Sequence, residues 1–127
     1  MTKPVLAALL AAALLAPATA GAVETSIQIQ LSTNTDFERH VMVYDCGAAD
    51  PITVTYINAA PNFLALVPIA EEPEPLLFAS VISASGARYA SGQWVWWTKG
   101  VDASLYDATL GEDAEPVLTC SELNNTP

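Results

Sequence analysis

The sequence predicts an all-β domain, and two features of the chain carry that prediction. From residue 25 onward, short runs alternate apolar with polar side chains, and clusters of Gly, Pro, Asn, Asp and Ser separate the runs. No window after the first twenty residues repeats its apolar positions at the 3.6-residue period of an amphipathic helix. About eight antiparallel strands are expected, and their periodicity allows either a closed barrel or a sandwich.

Residues 1–20 are expected to be a signal peptide that is cleaved from the folded protein. Lys3 gives a positive start, residues 5–16 form an unbroken apolar run, and the segment ends at Ala20 in a small-x-small pattern. The apolar run is too short to span a bilayer, which takes about 20 residues. No cysteine stands near this site to carry a lipid, so we expect a non-lipidated periplasmic protein with residues 21–127 as its single domain.

The chain is strongly acidic. It has 14 acidic and 4 basic residues and a formal net charge of −10, and removal of Lys3 takes the charge of the remaining domain to −11. Such a surface repels nucleic acid and anionic membranes and attracts basic partners. Neither a nucleic-acid partner nor a membrane anchor is expected.

The predicted strands follow one another with short polar connections. The first, residues 26–31, alternates Ser or Gln with Ile or Leu, which is typical of a half-buried strand. Later strands are expected at 39–46, 52–57, 63–69, 76–82, 103–107 and 116–120. The acidic segments 70–75 and 111–115 are solvated connections, because a sheet interior accepts neither their prolines nor their charges.

Residues 85–100 hold all three tryptophans of the chain and are expected to form a hairpin. If Ser91-Gly92 is its two-residue turn, the facing pairs are Tyr89 with Trp94, Ala87 with Trp96, and Ser85 with Thr98. Lys99 then lies one step beyond, so Ser85 and Lys99 meet at the open end of the hairpin.

The side chains of this hairpin divide between its two faces. Tyr89, Trp94 and Trp96 are expected to pack in the interior, whereas Trp97 faces the other way and covers Gly86.

Cys46 and Cys120 are the only cysteines, and in an exported chain they are expected to form one disulfide. Because the bond closes a long loop, the chain-entropy estimate of its contribution is about 4 kcal/mol. Two thiols and His40, the single histidine, are too few ligands for a metal site. Neither a metal nor a cofactor is expected.

Ser85 and Lys99 raise the question of a Ser-Lys catalytic dyad. A lysine that acts as a base needs burial, whereas Lys99 is expected at an open, wet rim, so no enzyme is predicted. A small-ligand-binding barrel of the cell envelope, with a cavity lined by the aromatic residues, is the alternative function. The oligomeric state stays open, and a homodimer is one of its possibilities.

Several short motifs occur together along the chain. They are Tyr44-Asp45-Cys46, Ser85-Gly86-Ala87-Arg88-Tyr89, Trp97-Thr98-Lys99-Gly100 and Cys120. The combination of SGxxY with a TKG that follows an aromatic segment resembles the bacterial C-type lysozyme inhibitor family. This resemblance implies an eight-stranded antiparallel β-barrel and an inhibitor whose partner is C-type lysozyme, a basic glycosidase.

The resemblance also implies which residues bind. Ser85 of the SGxxY motif is expected to enter the lysozyme cleft, and Lys99 of the TKG motif is expected to assist it. The full predicted lysozyme-binding set is Ser85, Gly86, Arg88, Tyr89, Thr98, Lys99 and Gly100. The mechanism would be occlusion of the active site, and the acidic surface would speed encounter with the basic enzyme.

Overall fold

A computed structural model describes residues 26–33 and 36–123, so the predicted signal peptide lies outside the described residues. Eight antiparallel strands follow one another around a closed barrel, each paired with the next, and the last pairs with the first. The strands are β1 (Glu38–Asp45), β2 (Ile52–Ala59), β3 (Asn62–Val67), β4 (Leu76–Val81), β5 (Ala87–Ser91), β6 (Trp94–Lys99), β7 (Asp102–Asp107) and β8 (Leu118–Glu122). The closed barrel confirms the predicted fold class and decides against a sandwich. Within the described residues, no helix is both long and apolar enough to cross a membrane.

The barrel closes through a short seam between β1 and β8. The two strands share the residue pairs Tyr44–Glu122 and Asp45–Ser121, whereas β1 and β2 are in register along nearly their whole length. A disulfide between Cys46 and Cys120, with an S–S distance of 2.08 Å, lies directly beside this seam. The predicted disulfide is confirmed, and it covalently joins the strand pair that shares the fewest backbone contacts.

Aromatic side chains fill the interior of the barrel. Trp96 and Phe78 are completely buried. The indole N–H of Trp96 donates to the Tyr56 hydroxyl at 2.9 Å, and the hydroxyls of Tyr56 and Tyr44 are 2.7 Å apart. The Tyr89 ring lies 5.7 Å from that of Tyr56, centroid to centroid. The rings themselves therefore occupy the space that an aromatic-lined ligand cavity would need.

Burial keeps these interior tyrosines neutral. It raises the pKa of Tyr44, Tyr56 and Tyr89 above the ordinary value near 10. The hydrogen bond with Tyr56 raises the pKa of Tyr44 further, while at Tyr56 the bonds from Trp96 and Tyr44 partly oppose the effect of burial on the pKa. The neutral hydroxyls can both donate and accept, which the hydrogen-bonded chain through the core requires.

The predicted strand at residues 26–31 is wrong. This segment forms no strand and pairs with none, and its Ile27 and Ile29 side chains are 81% and 62% exposed. It runs along the outside of the barrel, where the Asn62 amide donates to the Ser32 carbonyl at 3.3 Å. The alternating pattern is that of a strand, but all eight barrel strands are already paired on both sides, so no edge is left for another.

The register predicted for the tryptophan hairpin is also wrong. The observed pairs between β5 and β6 are Ser91–Trp94, Tyr89–Trp96 and Ala87–Thr98, a shift of two residues from those expected. The turn consists of Gly92 and Gln93, and Gly92 has a φ of +54°. Glycine at the first loop position is what a type II′ turn requires, and this preference places the turn one residue later than Ser91-Gly92. A shift of two keeps every side chain on its predicted face.

Candidate functional site

Antiparallel order divides the connections between the two ends of the barrel. The connections at 60–61, 82–86 and 100–101 lie at one end, which we call the Ser85 end. Those at 46–51, 68–75, 92–93 and 108–117 lie at the opposite end, which we call the acidic end. The predicted binding motifs thus reach the same end of the barrel through two different connections, the β4–β5 loop and the β6–β7 turn.

The β4–β5 loop holds the backbone of Ser85 and leaves its side chain free. The carbonyl oxygen of Ser85 accepts a hydrogen bond from the Trp97 indole N–H at 2.9 Å and another from the Ser83 hydroxyl at 2.5 Å. Ser85 is exposed, and its own hydroxyl has no hydrogen-bond partner among the described residues. The loop therefore presents an uncommitted donor and acceptor on a tethered backbone.

Gly86 brings this loop into contact with β6. It has a φ of +66°, and a Cβ atom at this position would lie 2.1 Å from the Thr98 carbonyl oxygen and 3.0 Å from the Trp97 indole nitrogen. Any larger residue would have to move the loop away from the strand, and the left-handed backbone would be strained as well. Glycine at position 86 is thus required by the close approach of the loop to the barrel wall.

Lys99 stands at the tight β6–β7 turn, where it pairs in register with Asp102. Lys99 is exposed and makes no hydrogen bond or ion pair with the described residues. Asp102 accepts a hydrogen bond from the Ser121 hydroxyl at 3.2 Å. Both side chains border a depression of about 440 Å³ whose other lining residues are Trp97, Gly100 and Ser104.

The other predicted site residues occupy three different environments. Arg88 is exposed, with its guanidinium carbon 5.7 Å from the centroid of the Trp97 ring. Thr98 is half-buried, and its hydroxyl donates a long bond of 3.4 Å to the Ala87 carbonyl. Tyr89 is buried in the core. The Ser85 end thus gathers Ser85, Gly86, Lys99 and Gly100, whereas Tyr89 faces the interior.

Sequence reasoning left two neighbours of the site unassigned. Ser83 was not singled out, although a serine two residues before Ser85 can bond locally to the loop backbone, as serines often do. Asp102 was missed too. A two-residue turn at Gly100-Val101 would have placed it opposite Lys99.

Charge is distributed unevenly between the two ends. The basic residues of the described chain, Arg39, Arg88 and Lys99, lie on strand segments toward the Ser85 end. The connections of the acidic end carry Asp50, Glu71, Glu72, Glu74, Glu112, Asp113 and Glu115. Acidic residues also flank the Ser85 end, Asp102 among them, but they are mixed there with the basic ones. The acidic character of the chain is therefore concentrated away from the predicted site.

Comparison with protein families decides the relationship. The family model described as membrane-bound lysozyme-inhibitor of c-type lysozyme matches residues 44–113, more than half of the chain. This chain belongs to that lysozyme-inhibitor family. The resemblance drawn from the SGxxY and TKG motifs is thereby confirmed, and both motifs lie inside the matched region.

Individual members of the lysozyme-inhibitor family show how far the likeness extends. The membrane-bound lysozyme inhibitor of C-type lysozyme from Pseudomonas aeruginosa is 44% identical over 79 residues, covering 62% of this chain and 61% of that protein. The Cupriavidus necator protein of the same name is 36% identical over 118 residues, covering 92% of this chain and 93% of that one.

A solved structure shares the fold. It is the crystal structure of Pseudomonas aeruginosa MliC in complex with hen egg white lysozyme. Its inhibitor chain is 36% identical, with a TM-score of 0.63, and the match covers 78% of this chain and 97% of that chain.

Proposed function

We propose that this protein inhibits C-type lysozyme by inserting its Ser85 end into the active-site cleft. One observation carries the proposal: two neighbouring connections present a free serine hydroxyl and an unpaired lysine at the same end of the barrel. Support comes from the lysozyme-inhibitor family, since a related protein has been crystallised with hen egg white lysozyme.

The chemistry of the cleft suits a serine hydroxyl. C-type lysozyme cleaves its glycan with two carboxyl groups, one protonated and one ionised. A hydroxyl can donate to the ionised group and accept from the protonated one. The Ser85 hydroxyl is uncommitted within the described chain, so binding would break no internal hydrogen bond. The side chain is also small enough to enter a space shaped for sugar.

Lys99 supplies the charge. An ammonium group near a carboxylate-rich cleft forms charge-assisted hydrogen bonds, which are roughly twice as strong as neutral ones. Lys99 makes no ion pair with the described residues, Asp102 across the turn included, so its side chain is available for a partner.

Three other predicted residues, Tyr89, Gly86 and Gly100, have structural roles that hold the site in place. Tyr89 is buried, so its contribution would be to hold β5 in the barrel wall. Gly86 lets the loop lie against β6, and Gly100 forms part of the turn that carries Lys99.

Occlusion accounts for the site better than catalysis or ligand storage. Lys99 is exposed, whereas a lysine that serves as a base needs burial to lower its pKa. A ligand-binding barrel needs internal space, which Trp96, Phe78 and the tyrosines fill. We therefore propose no reaction and no cofactor for this protein.

An envelope location fits this function, because the relatives are named as membrane-bound inhibitors. Both cysteines of this chain are joined in the disulfide, so neither is free to carry a thioether-linked lipid. We propose an exported, periplasmic protein without a cysteine-linked lipid. The mass of the protein recovered from the envelope should equal that of residues 21–127 with one disulfide, and a lipid-sized increase would contradict this.

The test of the function is cell-wall lysis by hen egg-white lysozyme, titrated with the oxidised protein. Inhibition should saturate near one-to-one stoichiometry, as expected for one barrel filling one cleft. Intact, folded protein that leaves lysis unchanged would refute the proposal.

Two variants then test the site itself. Ser85→Ala and Lys99→Ala should each weaken inhibition by about 1.5 to 3 kcal/mol, which is the loss of one hydrogen bond to a charged group. Ser91→Ala is the matched control, because Ser91 ends β5 near the acidic end and should leave inhibition unchanged. Full inhibition by both site variants would show that the site has been placed wrongly.

A further inference from the structure

Trp97 lies on the outer wall of the barrel and makes the contact that ties the Ser85 loop to β6. It is half-buried, its indole N–H donates to the Ser85 carbonyl at 2.9 Å, and its nitrogen borders Gly86. Apart from the bond from the Ser83 hydroxyl within the loop and the approach of Gly86 to Thr98, the loop is little restrained: Ser85 and Gly86 are exposed, and Ile82 is 96% exposed. A segment with so little buried surface opens easily unless its hydrogen bonds hold it.

Arg88 covers the same indole. It faces Trp97 directly across the β5–β6 pair, and its guanidinium carbon lies 5.7 Å from the ring centroid, within the range of a cation–π contact. Arg88 makes no ion pair with the described residues. A guanidinium over the ring favours the ring orientation seen here, in which the indole N–H reaches the Ser85 carbonyl.

We propose that Trp97 is the positioning residue for Ser85, and that Arg88 acts by holding the Trp97 ring. This inference rests on the proposed function, because it explains how the binding hydroxyl is presented to lysozyme. A loop that is already in its binding conformation loses less entropy on association, and an inhibitor whose competent conformer is rarer binds more weakly in proportion. Arg88 thereby acts through Trp97, although the sequence motif suggested that it binds lysozyme itself.

Trp97→Phe is the variant that tests this role, because it keeps an aromatic ring for Arg88 and removes the indole N–H together with part of the ring system, a loss of ring size that the Trp94→Phe control shares. Amide ¹⁵N relaxation and hydrogen exchange of residues 82–86 should show a more mobile loop in the free protein. Lysozyme inhibition should weaken by about tenfold, the effect of losing one intramolecular hydrogen bond. Trp94→Phe is the matched control: Trp94 lies on the same strand near the acidic end, and its indole has no hydrogen bond among the described residues. It should leave both readouts unchanged.

Loop mobility and lysozyme inhibition test the positioning role of Trp97 and the proposed function separately. An unchanged loop in Trp97→Phe would overturn the positioning role, and so would a mobile loop with undiminished inhibition. If the wild-type protein fails to inhibit lysozyme, the proposed function falls, while the relaxation data still decide whether Trp97 holds Ser85. Arg88→Ala should loosen the loop in the same direction but less. Weaker inhibition with an unchanged loop would mean that Arg88 contacts lysozyme itself.

Discussion

The Ser85 end and the acidic end of the barrel are built from the same kind of hairpin but present different surfaces. At the Ser85 end, the backbone of one loop is hydrogen-bonded to the neighbouring strand and seated on it through a glycine. At the acidic end, the long connections carry seven of the 14 acidic residues of the chain, and those seven side chains are exposed. The Ser85 end seats a loop on the barrel wall and mixes basic with acidic side chains. The connections of the acidic end are also hydrogen-bonded, for example from the Ala108 N–H to the Gln93 carbonyl at 2.7 Å, but the only charged side chains they carry are carboxylates.

This difference suggests that attraction and recognition are separate properties of the molecule. The net charge of the whole chain attracts a basic enzyme at long range. The acidic end, however, points away from the proposed site, so this attraction does not by itself turn the Ser85 end toward the cleft. On the proposed function, the orientation of the Ser85 end in the cleft depends on short-range contacts of Lys99 and the Ser85 hydroxyl with the carboxyl groups of the enzyme.

Removal of the disulfide should have the largest effect and should act on both ends alike. Cys46→Ala combined with Cys120→Ala is expected to lower the free energy of unfolding by about 4 kcal/mol, because the unfolded chain loses a long covalent loop. Urea denaturation measures this. If the variant without the disulfide lost its structure at one end and kept it at the other, the expectation that the disulfide stabilises both ends alike would be wrong.

Alkaline pH should also lower the stability of the barrel, through the tyrosines buried in the core between the two ends. The pKa values of Tyr44, Tyr56 and Tyr89 are raised in the fold, so the folded state holds protons that the unfolded state releases. Stability should be level up to about pH 10 and should fall as pH rises above the unfolded pKa, by up to about 1.4 kcal/mol per pH unit for each tyrosine. Denaturation midpoints across this range measure the effect, and recovery on return to pH 8 controls for chemical damage. A midpoint that stays constant to pH 12 would contradict it.

Two glycine substitutions, one at each end of the barrel, should differ in their effect on inhibition. Gly86→Ala forces a Cβ against the Thr98 carbonyl, so inhibition should fall about 100-fold, with a stability loss of about 2 kcal/mol. Gly92→Ala has a similar positive φ but open space around it, so it should cost about 1 kcal/mol and leave inhibition intact. Equal effects on inhibition would mean that the close approach at Gly86 is unimportant.

Neutralisation of the acidic end should have the smallest effect. Glu71→Gln, Glu72→Gln and Glu74→Gln together should slow association with lysozyme about two- to fivefold at low salt and leave dissociation unchanged. The difference should vanish at high salt, which screens exposed charges. A change in the dissociation rate would place these residues in the interface instead.

The strand pattern predicted the fold well because alternation and turn residues are local signals. It failed where the outcome depended on the rest of the molecule. Residues 26–31 alternate as a strand does, but the closed barrel leaves them no edge to pair with. The hairpin register depended on which side of Gly92 the turn fell, and the residue types alone did not fix that choice.

The site was predicted in part for the same reason. The SGxxY and TKG motifs predicted Ser85 and Lys99 as binding residues, a role that stays a prediction, and the structure brings both to one end of the barrel. The sequence placed Trp97 over Gly86, but it gave no means of finding the hydrogen bond to the Ser85 carbonyl, because that bond depends on the exact register and on the path of the loop. Tyr89 belongs to the same motif, yet its alternate position on β5 directs it inward.

The seam between β1 and β8 has a consequence for the order in which the protein folds. The β4–β5 and β6–β7 hairpins join residues that are close in sequence, and such local contacts form early. The first and last strands can meet only after the whole chain has emerged, and their short pairing gives little gain until the bond between Cys46 and Cys120 forms. On the proposed function, an exported chain would carry the parts of its binding surface as separate hairpins until the first and last strands meet and oxidation joins the two ends of the sequence.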